Sequence, residues 1–126
     1  MTVPVYLPDK VTVLVVDDSD DQRALLRRYF ERAGCLVTTV KNAEDAIAAY
    51  TRATPDLAVI DLVLPGMSGW ELTERLRVDR PDCVIAVTSV LDESAYPPTE
   101  ATLPKPFTGA QIRSVLRDYV PKWTEL

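Results

Sequence analysis

Acidic side chains follow two of the most apolar segments of the chain. Residues 10–16 (KVTVLVV) are β-branched and apolar, which is typical of a strand buried on both faces, and Asp17 and Asp18 come directly after them. Asp61 follows a second such segment at 57–60. Ligands bind at the carboxyl ends of parallel strands, and carboxylates gathered there would repel one another and require a cation. A hard divalent ion such as Mg2+ meets that requirement with carboxylate, carbonyl and water ligands.

The alternative for these acids is that they cap helices and lie in solvated turns. That interpretation fits Asp20 and Asp21, because both fall in the first turn of a predicted helix, where negative charge is favourable. It fits Asp17, Asp18 and Asp61 less well, because these acids end buried strands. We therefore take these three as the candidate metal ligands.

Two further predicted strands end on side chains that donate hydrogen bonds. Thr88 closes the strand 83–87 and offers a small hydroxyl donor. Lys105, one of four lysines, follows the fifth strand and lies between Pro104 and Pro106. A lysine in such a stiff segment is positioned rather than freely mobile, and the Lys105-Pro106 bond can be cis at modest cost. An ordinary surface lysine is the alternative interpretation.

Predicted strands and helices alternate along the whole chain. The strands are expected near 10–16, 35–40, 57–60, 83–87 and 99–103. The helices are expected after caps at Ser19, Asn42 and Thr108, and from Trp70 to Arg77. Strands that alternate with helices indicate an α/β domain with a parallel sheet.

The segment between the fourth and fifth strands departs from this pattern. Sixteen residues separate Thr88 from Lys105, and Pro97 and Pro98 lie among them. With a strand near 99–103, the remainder is enough for a turn or one loose helical turn. The fourth helix is therefore expected to be short or missing.

Length and composition set the broad class of protein. The chain has 126 residues, 47% of them apolar and 26% charged, which is the balance of one globular domain. We expect a leader at 1–9, the domain at 10–120 and a tail at 121–126, with Trp123 exposed in the tail and without a role. The apolar runs are short and the N-terminus lacks the pattern of a signal peptide, so neither a membrane span nor export is expected.

Charge and the counts of two residue types exclude further classes. A net charge of −5 without a basic patch argues against direct binding of nucleic acid. The chain has no histidine, which excludes a Ser-His-Asp hydrolase, a His-ligated zinc site and a histidine phosphate carrier. Cys35 and Cys83 are interpreted as reduced core thiols, with a disulfide as the alternative. The expected location is the cytoplasm.

Four segments resemble the receiver domain of two-component response regulators, over about residues 10–120. They stand in order at the ends of predicted strands as VLVVDD (13–18), AVIDLVLPGMSG (58–69), AVTS (86–89) and LPKPF (103–107). One segment alone would be weak, whereas the ordered set is specific. The resemblance implies a flavodoxin-like, doubly wound sheet of five parallel strands in the order 2-1-3-4-5, with helices on both faces.

The resemblance also implies roles for the strand-end residues. Asp61 would accept a phosphoryl group, and Thr88 and Lys105 would bind the phosphoryl oxygens. The donor would be a phosphohistidine on a sensor histidine kinase or a histidine phosphotransfer protein. Self-catalysed transfer to Asp61 and autodephosphorylation are the only chemistry expected, so the chain is not expected to be an enzyme. Mg2+ or Mn2+ would be held by Asp17, Asp18, Asp61 and the backbone carbonyl of Val63.

The output side departs from the family pattern. Family members commonly carry an aromatic residue three positions before the lysine, where this chain has Thr102. The usual aromatic switch is therefore absent, and so is a full fourth helix. Val63 and Val90 lie two residues after Asp61 and Thr88, where the family tunes hydrolysis. Because both are apolar, we predict slow dephosphorylation.

Three functional hypotheses follow from the residues and the resemblance. The first is a stand-alone receiver that takes phosphate from a histidine kinase and signals by binding an unknown downstream protein, with homodimer formation left open. The second is a phosphorylation-independent, receiver-like scaffold for docking or dimerisation, which the missing aromatic and the short helix favour. The third is a haloacid-dehalogenase-type phosphatase, whose D-x-D-x-[TV] motif is not matched by residues 18–22.

Overall fold

The computed structural model describes residues 10–124 as strands that alternate with helices. Strands β1–β5 cover Thr12–Val16, Leu36–Val40, Leu57–Asp61, Val84–Ser89 and Ala101–Pro104. Helices α1–α4 cover Asp20–Arg32, Ala43–Arg52, Gly69–Asp79 and Gly109–Tyr119. The expected leader at 1–9 lies outside the described residues, as does the end of the expected tail, 125–126. Within residues 10–124, no helix is both long enough and apolar enough to cross a membrane.

The strands pair in parallel into one sheet with the order β2-β1-β3-β4-β5. This order confirms the predicted flavodoxin-like, doubly wound fold. β1 and β3 are neighbours, in a register that pairs Val13 with Leu57 and Val16 with Ile60. The strand order reverses at this pair, so the carboxyl ends of β1 and β3 border the crevice at which such sheets bind ligands.

The helices cover both faces of the sheet. Alternate side chains of β1 enter two cores, with Val13 and Val15 on one face and Leu14 and Val16 on the other. α1 and α4 pack on the first face, and α2 and α3 on the second. Because β1 and β3 are covered on both faces, their sequences are almost continuously apolar.

Each α-helix begins at a side chain that accepts a hydrogen bond from the backbone N–H three residues later. Ser19, Asn42 and Thr108 cap α1, α2 and α4 as predicted, and Ser68 caps α3. Thr108 and Gln111 form a complete capping box. These caps satisfy donors that the first turn of a helix leaves unpaired, and they fix where each helix leaves the loops at the edge of the sheet.

The crossover between β4 and β5 contains one 3-10 turn, Glu93–Ala95, and no α-helix. This confirms the prediction of a fourth helix that is short or missing. Pro97 and Pro98 follow the turn at once, and proline cannot supply the backbone N–H that a longer helix would need.

The prediction that Trp123 lies exposed and without a role in the tail is wrong. Its indole N–H donates to the Ala33 carbonyl at 2.8 Å, and its ring packs against the core beneath α1 and α4. Next to it, Lys122 Nζ lies 3.3 Å from Asp56 Oδ2. Tryptophan combines a large apolar ring with one N–H donor, and the end of α1 supplies both an apolar surface and a carbonyl acceptor.

The two cysteines are buried free thiols, as predicted. Cys35 lies in the core beneath α1 and α4, and Cys83 in the core beneath α2 and α3. Burial raises the pKa of Cys35 to about 11 and the pKa of Cys83 to about 12. Both thiols are therefore protonated at neutral pH and pack as small apolar side chains.

Candidate functional site

The three predicted carboxylates converge at the carboxyl ends of β1 and β3. Asp61 is the last residue of β3, and Asp17 follows β1, where its N–H donates to the Val40 carbonyl at 3.1 Å. One carboxylate oxygen from each of Asp17, Asp18 and Asp61 lies within 4.8 Å of the other two. Asp17 and Asp61 are 0% and 5% exposed, whereas Asp18 is open to solvent. Oxygen ligands at this spacing fit a hard divalent cation.

Lys105 places an ammonium group between the two buried carboxylates. Its Nζ lies 3.0 Å from Asp17 Oδ2 and 2.9 Å from Asp61 Oδ2. Burial alone would lower the pKa of Lys105, but its hydrogen bonds to Asp61 and Asp17 raise the pKa above the ordinary value. The group is therefore charged at neutral pH and offsets part of the negative charge of the cluster. The Lys105-Pro106 peptide bond is cis.

Each buried carboxylate has one oxygen bound to the backbone and the other bound to the lysine. The Ser19 N–H donates to Asp17 Oδ1 at 2.9 Å, and the Val63 N–H donates to Asp61 Oδ1 at 3.0 Å. Burial raises the pKa of Asp17, while the Ser19 N–H and the Lys105 ammonium oppose that rise. The backbone thus fixes the orientation of both carboxylates before any ligand binds.

Thr88 lies beside Asp61, and its hydroxyl lacks a partner. β3 and β4 pair with Asp61 opposite Thr88, which puts the two side chains on the same side of the sheet. Thr88 is 0% exposed, and its Oγ1 is the one buried side-chain N or O atom within residues 10–124 that has no hydrogen-bond partner. Burying an unpaired hydroxyl costs about 1–3 kcal/mol. An acceptor added at Asp61 would remove that cost.

Gly69, the first residue of α3, positions the site in a way that the sequence patterns do not reveal. Its N–H donates to the Leu62 carbonyl at 3.1 Å, which holds the first turn of α3 against the end of β3. A methyl group at position 69 would overlap the Asp61 carbonyl oxygen and lie 2.5 Å from the Cα of Leu62. Glycine alone permits this approach. The available sequence signal was the final glycine of the segment 58–69.

Two exposed valines follow the site residues. Val63 and Val90 stand two positions after Asp61 and Thr88 and are 54% and 76% exposed. Neither side chain can hold a water molecule by a hydrogen bond. Thr102, at the position where the family commonly has an aromatic residue, lies exposed on β5.

This strand order, with carboxylates, a threonine and a lysine at the carboxyl edge of the sheet, defines a receiver-type α/β domain. The family model described as the response regulator receiver domain matches residues 13–117. The chain therefore belongs to the response regulator receiver domain family. Members of this family are phosphoacceptor modules of two-component signalling, and a signalling role that depends on phosphorylation fits this chain.

Similar proteins agree with this family. Sporulation initiation phosphotransferase F from Bacillus subtilis (strain 168) is 31% identical over 115 residues, which are 86% of this chain and 93% of that protein. A cyclic di-GMP phosphodiesterase from Thermotoga maritima is 33% identical over 84 residues, which are 67% of this chain but 22% of that protein. An uncharacterized 14.6 kDa protein from Leptolyngbya boryana is 43% identical over 68 residues, and the match spans 52% of that protein. The chain thus spans between about a fifth and nearly all of the length of these relatives.

The fold is also that of a solved receiver domain. The CheY-like response regulator receiver domain from Methylobacillus flagellatus has a TM-score of 0.80 at 22% identity, over 87% of this chain and 98% of that one. At this level of identity the likeness shows the fold, and the strand order agrees with it.

Proposed function

We propose that Asp61 accepts a phosphoryl group from a phosphohistidine on a sensor histidine kinase or a histidine phosphotransfer protein. The observation that carries this proposal is the buried Asp61 carboxylate, 2.9 Å from the Lys105 ammonium and beside the unpaired Thr88 hydroxyl. A carboxylate oxygen would attack phosphorus, and the phosphorus–nitrogen bond would break. The donor imidazole would leave with that electron pair and take a proton from solvent. The 126 residues contain no histidine, so the donor histidine would lie outside them.

The acidic cluster would hold Mg2+, or Mn2+ in its place. The residues fit such an ion, because their carboxylate oxygens lie within 4.8 Å of one another and Asp18 borders solvent that can supply water ligands. The bound ion would supply positive charge to the phosphoryl group during transfer. The proposed ligands are Asp17, Asp18, Asp61 and the backbone carbonyl of Val63.

Thr88 and Lys105 would bind oxygens of the acquired phosphoryl group. An ammonium has three N–H donors, and Lys105 uses two of them on Asp17 and Asp61, so one remains for a phosphoryl oxygen. Thr88 would gain the acceptor that its buried hydroxyl lacks. Because these contacts exist in one state only, phosphorylation would favour one arrangement of the surrounding loops.

The acyl phosphate on Asp61 would decay slowly by autodephosphorylation, the one further reaction that we assign to the chain. The exposed valines at 63 and 90 cannot orient an attacking water. We expect Val90→Glu to speed the loss of phosphate by at most ~10²-fold, which is the low end of what a positioned general base contributes. Val78→Glu is the matched control, since Val78 is 81% exposed on the far part of α3. Fast decay in the parent, slowed by a polar residue at 63 or 90, would contradict the assignment.

The proposal also sets partners and location. The upstream partner is a histidine kinase or a phosphotransfer protein, and the downstream partner is an unknown protein. With a net charge of −5, we expect no direct contact with nucleic acid, and we expect the cytoplasm, without membrane attachment, as the location. A homodimer remains a prediction for a measurement of mass in solution.

A phosphorylation-independent scaffold is the second candidate function. Its support is the exposed Thr102 on β5 and the crossover that has a single 3-10 turn. A scaffold, however, has no use for a buried threonine hydroxyl without a partner or for a lysine held between two buried carboxylates. The first candidate is therefore favoured.

Intact mass after incubation with Mg2+ and acetyl phosphate tests the proposal. We expect one added phosphoryl group in the parent protein and none in Asp61→Asn or in excess EDTA. Asp56→Asn is the matched control, because Asp56 is a carboxylate outside the cluster, bound to Thr12 and Lys122. An absent adduct in the parent, even after rapid quenching, would favour the scaffold.

A further inference from the structure

The crossover between β4 and β5 has a fixed place in the structure although it is not helical. The Trp70 indole N–H donates to the Ala95 carbonyl at 3.0 Å, and the Arg77 guanidinium donates to the Pro98 carbonyl at 2.6 Å. Arg77 also lies 4.0 Å from a carboxylate oxygen of Glu100. Both ends of the segment 93–100 are thus attached to α3, and its position depends on these contacts.

Tyr96 connects this crossover to the site. Its hydroxyl donates to the Ser89 carbonyl at 2.9 Å, and the Lys105 backbone N–H donates to the same carbonyl at 2.9 Å. Ser89 directly follows Thr88 on β4. The Tyr96 ring packs in the core beneath α3, together with Trp70. The Tyr96 side chain therefore contacts the Ser89 carbonyl through its hydroxyl. Its ring lies in the same core as Trp70, which holds the crossover on α3.

The two hydrogen bonds to the Ser89 carbonyl differ in how easily they break. The bond from Lys105 continues the ladder between β4 and β5, whose last register pair is Ser89 with Pro104. The bond from Tyr96 comes from a partly buried side chain of the crossover and is not part of a strand ladder. A small shift of the Ser89 carbonyl therefore breaks the tyrosine bond first.

We propose that Tyr96 is a positioning residue that couples the phosphoryl state of Asp61 to the place of the crossover on α3. This inference rests on the proposed function. When Thr88 and Lys105 take phosphoryl oxygens, the main chain of both residues moves, and the Ser89 carbonyl moves with them. Tyr96 then loses its acceptor, and the Ala95 contact with Trp70 rearranges. The responsive surface is the crossover with α3.

Charged groups at the site act on the pKa of the Tyr96 hydroxyl. Burial raises the pKa of the Tyr96 hydroxyl, and the negative charges of Glu93 and Asp61 raise it further, while the contact with Ser89 and the Lys105 charge oppose the rise. The hydroxyl is therefore protonated at neutral pH and available as a donor. A change of charge at Asp61 changes the environment of this hydroxyl even before any atom moves.

Trp70 supplies the readout for the test. Trp70 and Trp123 are the two tryptophans of the chain, and Trp123→Phe keeps an aromatic ring in the core while leaving Trp70 as the single tryptophan, which can be excited selectively over the tyrosines. In this parent we expect phosphorylation by acetyl phosphate and Mg2+ to shift the Trp70 emission. Intact mass on the same sample reports how much of the protein is phosphorylated.

Tyr96→Phe removes the hydroxyl and keeps the ring. We expect its unphosphorylated emission to lie near the phosphorylated value of the parent, and its response to fall to about one third or less, since one hydrogen bond shifts a population by a few-fold. Tyr119→Phe is the matched control, because Tyr119 is 42% exposed on α4, and it should respond like the parent. Arg77→Met loosens the crossover without touching the site and should also weaken the response at full phosphorylation.

The two measurements separate the inference from the proposed function. A full adduct with no emission shift in the parent would overturn the role of Tyr96 and leave the proposed function intact. A Tyr96→Phe protein that keeps the parent's emission and response at equal phosphorylation would also overturn it. Absence of an adduct in the parent would refute the proposed function itself, and the inference would fall with it.

Discussion

Lys105 is the residue whose removal tests the electrostatics of the site most directly. Its ammonium lies 3.0 Å and 2.9 Å from the carboxylates of Asp17 and Asp61, and its side chain is 13% exposed. Lys105→Met keeps most of the apolar stem of the side chain and removes the ammonium group with its charge and its hydrogen bonds to Asp17 and Asp61. The variant leaves two buried carboxylates within 4.8 Å of each other, with no cation between them.

The expected cost follows from these distances. Two negative charges at a separation of 4.8 Å repel by roughly 3 kcal/mol at an effective dielectric constant of about 20. Removing one partner of a buried ion pair costs about 3–5 kcal/mol in measured cases. Because Lys105 retains some solvent contact, we expect Lys105→Met to lower the free energy of unfolding by about 3 kcal/mol in EDTA at neutral pH. Excess Mg2+ should reduce the loss to about 1 kcal/mol, since a bound cation restores the missing charge.

Urea denaturation with EDTA or Mg2+ measures both values, and the chain contains a matched control. Lys122 forms an ion pair with Asp56 at 3.3 Å, but the two side chains are 36% and 30% exposed. Lys122→Met should therefore cost less than about 1 kcal/mol and show no dependence on Mg2+. The electrostatic role of Lys105 is refuted if Lys105→Met lowers the free energy of unfolding no more than Lys122→Met in EDTA. It is also refuted if Mg2+ leaves the loss in Lys105→Met unchanged.

Three further predictions concern the glycine that supports the site and the buried titratable groups. Gly69→Ala should lower the free energy of unfolding by about 2 kcal/mol and slow phosphorylation, because the added methyl group displaces the end of β3. Urea denaturation measures the first effect and intact mass over time measures the second. A phosphorylation rate equal to that of the parent would contradict the close contact. Because their pKa values are about 11 and about 12, Cys35 and Cys83 should resist alkylation near pH 8 in the folded protein. Both thiols should react fully in urea. Rapid labelling of the folded protein would show that they are not buried. Burial and a 2.6 Å hydrogen bond to Asp79 raise the pKa of Tyr50 to about 12. The unfolded chain releases this proton near pH 10 and the folded chain retains it, so Tyr50 contributes a loss of stability of about 2–3 kcal/mol as pH rises from 10 towards 12. Tyr50→Phe should remove this contribution and leave those of Cys35, Cys83 and Lys105, whose pKa values are also raised.

The alternation of strands and helices and the residues at the strand ends could be predicted because they depend on local patterns, whereas the strand order was implied by the resemblance to receiver domains. A strand buried on both faces is apolar throughout, and the residue after it lies at the edge of the sheet whatever else surrounds it. Asp17, Asp61, Thr88 and Lys105 could be placed in this way before their distances were known. The proline pair in the crossover likewise indicated, by local chemistry, a fourth helix that is short or missing.

The contacts of Trp123 and Gly69 could not be predicted from local sequence patterns. The indole of Trp123 finds its acceptor at Ala33, ninety positions earlier in the chain, and no local pattern contains that distance. Gly69 could be recognised as a loop glycine, but the backbone of Asp61 that excludes a side chain there appears only after β3 and α3 have packed. Both cases concern contacts that form only when separate elements of the fold pack together.

The amino-acid sequence by itself determined the alternation of strands and helices, the caps, and which polar residues stand at strand ends, since these depend on burial and on hydrogen bonds within a few residues. The tertiary structure alone decided that Lys105 lies between Asp17 and Asp61, that the Thr88 hydroxyl lacks a partner, and that Tyr96 shares an acceptor with Lys105. Hydrogen bonds and ion pairs require atoms within about 3 Å of each other. Segments far apart in the chain reach that distance only when packing fixes the positions of β1, β3, β4 and β5 together.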